Sequence, residues 1–467
     1  MPAGGNGDWL WRDAGPIEGR RRKAAAVITA VMRVLESDNP IDAPGQRAIS
    51  AFQQFNTFSS RTRTWLTGEP YAYLWGRLAY ELLATVLRPA SAGMGSAGYY
   101  CRINRLGPER ALARHLHDFE RLLIAAAVLE GGDMELEMPV VASAPFALPG
   151  TALTVDGQDR VFIQGVRSGR LQTESGNGTM YPILEYAGHE WRMQPAVFNV
   201  PVSGISVEVW AEGLDFQRRH ADGLEGALCI LDGLEGGMLD QIRAGLRVIA
   251  LRREGSPGDL TNLSHCDLPG AISISPSPHP YELANIVWHE FLHNRLFALE
   301  EEGLFLDPVA QETDELIYSP WRTDYRPMHG LLHGVYVFTG VGHYWLSVAG
   351  AAGTPRPVGK LARTRILKGL YQVRMGLALL RRHARLTGRG GRLLDSLEHE
   401  HEVLWQSASE VGLPPDLPHM TFRRGTLFDV ETHAHTVRER IRDHVHRYAQ
   451  MEHGRYLEPL LCQPSAS

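Results

Sequence analysis

The chain has 467 residues, 44% of them hydrophobic and 21% charged, the balance of a globular protein long enough for two or three domains and a large core. A net charge of −6 argues against a nucleic-acid partner held by an overall basic field. The N-terminus lacks a basic n-region and an apolar h-region, and the longest apolar run, Leu122 to Leu129, is too short to cross a bilayer. The expectation is a cytoplasmic protein with no membrane partner.

Residues 20–130 read as helical: Arg22 to Leu35, Ala72 to Leu87 and Ala111 to Leu129 carry apolar residues three and four apart. The character changes after Gly131-Gly132. Val161-Phe-Ile163, Tyr181-Pro-Ile-Leu184 and Ile205 to Trp210 are short β-rich runs between Gly/Ser/Asn turns, so 140–215 reads as a small, largely antiparallel sheet. A helix near Gly236–Leu246 and strands at Arg247–Arg252 and Ala271–Ser275 follow. Next comes a helix over Tyr281–Leu299, with Pro280 ahead of it and Gly303 behind. From Gly359 the pattern is helical again, through Leu361–Leu386, a glycine break at Gly388–Gly391, and Leu393–Gln406. The fold class predicted is α+β and mainly helical, with a zincin-like metal-bearing core and a small antiparallel β-sheet. Four regions divide it: 1–139, 140–215, 216–358 as the catalytic core, and 359–467.

Four cysteines, Cys101, Cys229, Cys266 and Cys462, show no CxxC spacing and read as independent thiols. Gly93-Met-Gly-Ser-Ala-Gly98 matches a nucleotide-loop pattern, but Arg88-Pro89-Ala90-Ser91 stands where a strand is needed. The arginines at 363, 365, 374, 381, 382 and 385 read as a solvated helix face.

The chemistry concentrates in His289-Glu290-Phe291-Leu292-His293. On a helix, residues four apart lie one turn above each other, so both imidazoles can grip one cation while Glu290 stands beside its open coordination position. A catalytic metal needs a third donor. His333 and His329, one turn apart on the apolar helix that follows, are candidates, and so are Glu312 and Glu315. The metzincin pattern is excluded, because Asn294 to Leu299 supplies neither the Gly nor the His it requires. Arg322 and Arg326 flank Asp324, and a guanidinium fork beside an open metal suits a small carboxylate ligand. Three imidazoles, or two with a carboxylate, plus such an arginine suit Fe(II) with 2-oxoglutarate and O2; the plainer use of either arginine is an internal pair with Asp324 or Glu315.

The HExxH motif, followed by Ser319-Pro-Trp-Arg-x-Asp-x-Arg-Pro-x-x-Gly-x-x-His-Gly-Val-Tyr-x-Phe338, resembles the HExxH-type peptide-modification proteins. These are described as 2-oxoglutarate-dependent peptide β-hydroxylases acting on ribosomally synthesised precursor peptides. The resemblance covers residues 281–345. It implies that His289, His293 and His333 hold Fe(II), that Arg322 or Arg326 anchors 2-oxoglutarate, and that a precursor peptide is hydroxylated at an Asp, Asn or His side chain. Glu290 then orients a ligand or water. The competing reading is a zinc metallopeptidase with Glu290 as general base. A third is a peptide-binding scaffold around a structural metal.

Overall fold

The apolar repeats of the first 130 residues form seven helices in a computed structural model: α1 (Gly15–Ser37), α2 (Ala43–Phe55), α3 (Ser60–Thr67), α4 (Pro70–Leu87), α5 (Gly95–Asn104), α6 (Pro108–His117) and α7 (Glu120–Glu130). The structure describes residues 15–88, 95–140, 146–151, 153–155, 161–167, 170–173, 179–180, 183–186, 189–193, 214–251, 262–308, 316–317, 319–321, 326–410, 421–423 and 426–428. They fall into two compact units, the first comprising 14–231 and 239–298, the second 232–238 and 299–467. The expected strand at Ile205–Trp210 and Cys462 lie outside the described residues; Cys101, Cys229 and Cys266 are free thiols.

In the first unit α1 packs on α4, and α4 on α6. The apolar run from Ala111 to Leu129 breaks at Asp118–Phe119, where hydrogen bonds tighten to i→i−3 spacing (Arg121 N to Asp118 O, 3.2 Å; Leu122 N to Phe119 O, 2.9 Å). The break lets Phe119 turn wholly inward, 4.9 Å from the Trp75 ring and 5.7 Å from Phe55. His115 stacks on Trp75, and the two residues exchange hydrogen bonds with each other's carbonyls at 2.9 and 3.0 Å. The Nε2 side of a buried imidazole is thereby partnered without charge, in line with its burial-lowered pKa, while Nδ1 has no hydrogen-bond partner among the described residues. The GxGxxG look-alike runs into α5, and the element ahead of it is the helix α4, not a strand.

Between 134 and 193 the chain forms β1 (Met134–Val140), β2 (Phe146–Ala147), β3 (Leu153–Val155), β4 (Val161–Arg167), β5 (Arg170–Thr173), β6 (Thr179–Met180), β7 (Ile183–Tyr186) and β8 (His189–Met193). All pairings within this stretch are antiparallel: β1-β4-β5, β2-β3-β6 and the β7–β8 hairpin. The sheet that matters for the site is mixed. After α8 (Leu214–Gly233) and α9 (Met238–Gly245) come β9 (Val248–Leu251), β10 (Leu263–Ser264) and β11 (Ala271–Ile274). The strand order is β10-β11-β9-β8-β7, with β8, β9 and β11 parallel and β10 antiparallel at the edge. Every residue of β9 and β11 is buried, the pattern of parallel strands covered on both faces. Helix α10 (Pro280–Glu302) follows and carries the HExxH residues.

The second unit holds β12 (Leu316–Ile317) paired with β13 (Arg326–Pro327), then α11 (Met328–Gly350), α12 (Arg356–His383) and α13 (Gly388–Glu410), and a hairpin of β14 (Thr421–Arg423) and β15 (Thr426–Phe428). The three helices pack on one another, and Trp321 wedges between the first two. Its ring stacks on Phe338 at 5.0 Å, and a Cβ added to Gly334 or Gly376 would strike it at 2.8 Å. The Gln372 amide donates to Pro320 O at 2.6 Å, pinning the same segment to α12. The arginines at 363, 365, 374, 381, 382 and 385 are exposed, as expected for a solvated face.

Glycines 388–391 do not break the helical tail. They form the first turn of α13, and the interruption lies at 384–387. Thr387 caps that turn by accepting the Gly390 N–H at its hydroxyl (3.0 Å), while its own N–H bonds Phe305 O (2.9 Å). Gly390 is needed because its backbone lies against Phe305: an added Cβ would fall 1.9 Å from that carbonyl oxygen. Gly390→Ala should therefore destabilise the second unit by on the order of 2 kcal/mol or more through backbone displacement, measurable as a lowered urea midpoint. An unchanged midpoint would mean that the close approach is not made.

Candidate metal centre

Helix α10 has no Gly or Pro after Pro280, so nothing interrupts its ladder, and polar side chains lock its buried face. Asn294, 1% exposed, accepts the Gly270 N–H (2.9 Å) and donates to Ala271 O (3.0 Å), which ties the helix to the start of β11. Gly270 has φ +83°, and a Cβ there would sit 2.7 Å from Gly245 O, so another residue could not lie this close to the end of α9. Arg295, fully buried, donates to Gln241 of α9 at 3.1 Å. The Phe291 ring covers Gly245 and stacks on Trp288 at 5.5 Å.

These contacts commit one side of the helix and leave His289 and His293 together on another. Their ring centroids are 5.0 Å apart, as expected for imidazoles one turn apart. Burial pushes the His289 pKa down to about 4, leaving a neutral ring with a lone pair to give at neutral pH. Glu290 is buried (4% exposed), accepts a hydrogen bond from Ser264 of edge strand β10 (2.9 Å), and lies 4.0 Å from His289 Nε2. Its burial raises the carboxyl pKa to about 7, with the Ser264 bond pulling the other way.

His333 belongs to the second unit, in the first turns of α11. There its Nε2 lies 3.2 Å from Glu300 Oε2, and His329 Nε2 lies 2.8 Å from Glu300 Oε1. Burial of Glu300 would raise its pKa, but its electrostatic interaction with His333 and hydrogen bonds from both imidazoles hold it well below the usual carboxylate range. Arg326 is half-buried in β13, paired with Ile317 just ahead of α11. Arg322, Asp324, Glu312 and Glu315 lie outside the described residues. The turn His265-Cys266-Asp267 also gathers potential ligands: His265 Nδ1 accepts the Asp267 N–H (3.1 Å) and Asp267 Oδ1 pairs with Arg77, while Asp267 Oδ2 is buried with no hydrogen-bond partner among the described residues.

Three residues escaped the sequence reading. Glu300 was legible, since it stands seven residues past His293, two turns along one helix face. Asn294, one turn past Glu290, carries only a weak signal. Ser264 carries none, because its bond to Glu290 depends on where an edge strand meets the helix. In comparisons with known proteins, the chain matches no protein-family model and no curated protein sequence.

The Glu290 shift predicts the pH dependence of the metal-free protein. Its folded-state pKa is raised from 4.5 to about 7. The stability this proton contributes is therefore whole below pH 4.5 and lost as pH rises through 7. In Glu290→Gln that loss is absent, while His289 acts in both proteins alike. Urea denaturation in chelator should show wild type losing on the order of 3 kcal/mol relative to the variant between pH 4.5 and 7.5. A pH-independent difference would show that Glu290 is ionised at little cost in the fold.

Proposed function

We propose that the chain is an Fe(II)- and 2-oxoglutarate-dependent oxygenase that hydroxylates the β-carbon of an Asp, Asn or His residue in a ribosomally synthesised precursor peptide. The observation that carries this reading is the pair His289 and His293, one turn apart and 5.0 Å between ring centroids. It stands on a helix whose Glu290 is engaged by Ser264, away from solvent. A carboxylate held this way supports an orienting role. The donor chemistry fits a borderline cation such as Fe(II), for which neutral imidazoles are apt ligands. By the resemblance His333 would be the third donor, and Arg326 or Arg322 would pair with the distal carboxylate of 2-oxoglutarate. When bound, iron with 2-oxoglutarate and O2 would supply the oxidant: one oxygen atom goes to succinate, CO2 leaves, and the other oxygen is inserted into a C–H bond of the peptide, whose hydrogen ends on the new hydroxyl. The zincin-like character of the core is part of the same proposal. Parallel strands, an antiparallel edge strand and a following metal-bearing helix support it.

One observation favours the peptidase alternative. A Glu290 carboxyl near pKa 7 is poised as a general base at neutral pH. In a zinc peptidase Glu290→Gln would cost at least roughly 10²-fold in rate; in the oxygenase it should leave substantial turnover.

The deciding experiment incubates anaerobically purified, Fe(II)-loaded protein with 2-oxoglutarate, air and synthetic peptides carrying Asp, Asn and His. Succinate release and a product heavier by one oxygen are expected, both abolished in His289→Ala and His293→Ala. Shorter peptide fragments from zinc-loaded wild type, lost in Glu290→Gln, would sink the oxygenase reading. Separately, Arg326→Ala should raise the KM for 2-oxoglutarate roughly thirtyfold, the equivalent of about 2 kcal/mol for a lost charge-assisted contact. An unchanged KM would give the anchor to another residue.

A further inference from the structure

Glu300, His329 and His333 offer one donor atom each, and these atoms lie within 4.8 Å of one another. All three residues belong to one compact unit. The two imidazoles are one turn apart at the start of α11, ring centroids 4.4 Å apart, and the two oxygens of Glu300 face one Nε2 each, at 2.8 and 3.2 Å. Donors about 2.1 Å from a tetrahedral cation stand about 3.4 Å from each other, so three donors gathered within 4.8 Å need only a modest adjustment to share one small divalent ion.

A plain ion pair explains the arrangement less well. One protonated histidine would satisfy one carboxylate, yet two rings converge on it, and one of them, His333, is 5% exposed. Two rings facing one carboxylate through their Nε2 atoms stand where a single dication would engage all three side chains at once. The His329 side chain, 41% exposed, leaves a route from solvent.

We propose that Glu300, His329 and His333 form a divalent-metal site that does not use His289 or His293 as ligands, with the two-histidine, one-carboxylate donor set that zinc and Fe(II) accept. The proposal does not rest on the oxygenase reading. It does reassign His333, which the resemblance gives to the HExxH metal.

The test is a metal count on the full chain, stripped with chelator, re-equilibrated with Zn(II) and measured by elemental analysis. Wild type should bind two zinc ions, His289→Ala/His293→Ala one, Glu300→Gln/His329→Gln one, and the fourfold variant none. His329→Gln alone, at a partly exposed position, should weaken one of the two sites at least tenfold while the melting temperature in chelator stays at the wild-type value. A zinc count unchanged in Glu300→Gln/His329→Gln overturns the proposal. So does a wild-type count of one that either pair of substitutions abolishes, since that means one shared site. A count of one lost only with Glu300 and His329 upholds the proposal and removes the metal from the HExxH reading instead.

Discussion

The constraint on which the site depends is the need to hold the polar groups that helix α10 carries indoors. An unpartnered buried amide, carboxylate or guanidinium costs about 1–3 kcal/mol or more, which is a sizeable share of a domain's stability. Asn294 meets β11 backbone at both ends of its amide, Arg295 meets Gln241, and Glu290 meets Ser264. Each bond joins the helix to a different neighbour, so together they set its rotation as well as its position. With that rotation set, His289 and His293 share the remaining face.

The same accounting bears on what the histidines could hold. An imidazole held in a poorly solvated place sheds its proton, and the neutral ring is the form that binds a metal. His289 meets this condition through burial alone. His333 meets it less simply, since Glu300 pulls towards the charged form while burial and His329 pull away. The chain thus carries two pairs of histidines at one-turn spacing, and the carboxylate differs. Glu290 sits within the first motif and is turned to a strand, whereas Glu300 faces both rings of the second pair.

Much of the motif beyond the histidines has a packing role. Trp321 of the Ser-Pro-Trp run is a wedge, stacked on Phe338 and seated against Gly334 and Gly376, and the backbone of Pro320 is held by Gln372. Gly334, directly after His333, serves the same wedge. A pattern that reads as catalytic in the sequence is therefore in part the scaffold that fixes where α11 begins. Arg389 does comparable work at the other end of α10, donating to the Leu299 and Gly303 carbonyls (2.6 and 2.8 Å) left open where the helix stops.

Local rules determined a good deal without tertiary help. Apolar spacing marked the N-terminal helices, α10, α11 and the helical tail, because amphipathic and buried helices must repeat every 3.6 residues. The i,i+4 histidines announced paired donors for the same reason. Tertiary structure decided what spacing cannot encode. The run at 111–129 breaks at Phe119, whose ring packs between Trp75 and Phe55, and Gly390 stands in the first turn of a helix where Phe305 leaves no room for a Cβ. The β7–β8 hairpin joins parallel strands more than fifty residues away in sequence, so a sheet that reads as antiparallel is mixed. Ser264 beneath Glu290, and two histidines around Glu300, are likewise meetings between distant segments. Side-chain periodicity reports which face a residue occupies; only packing reports what that face meets.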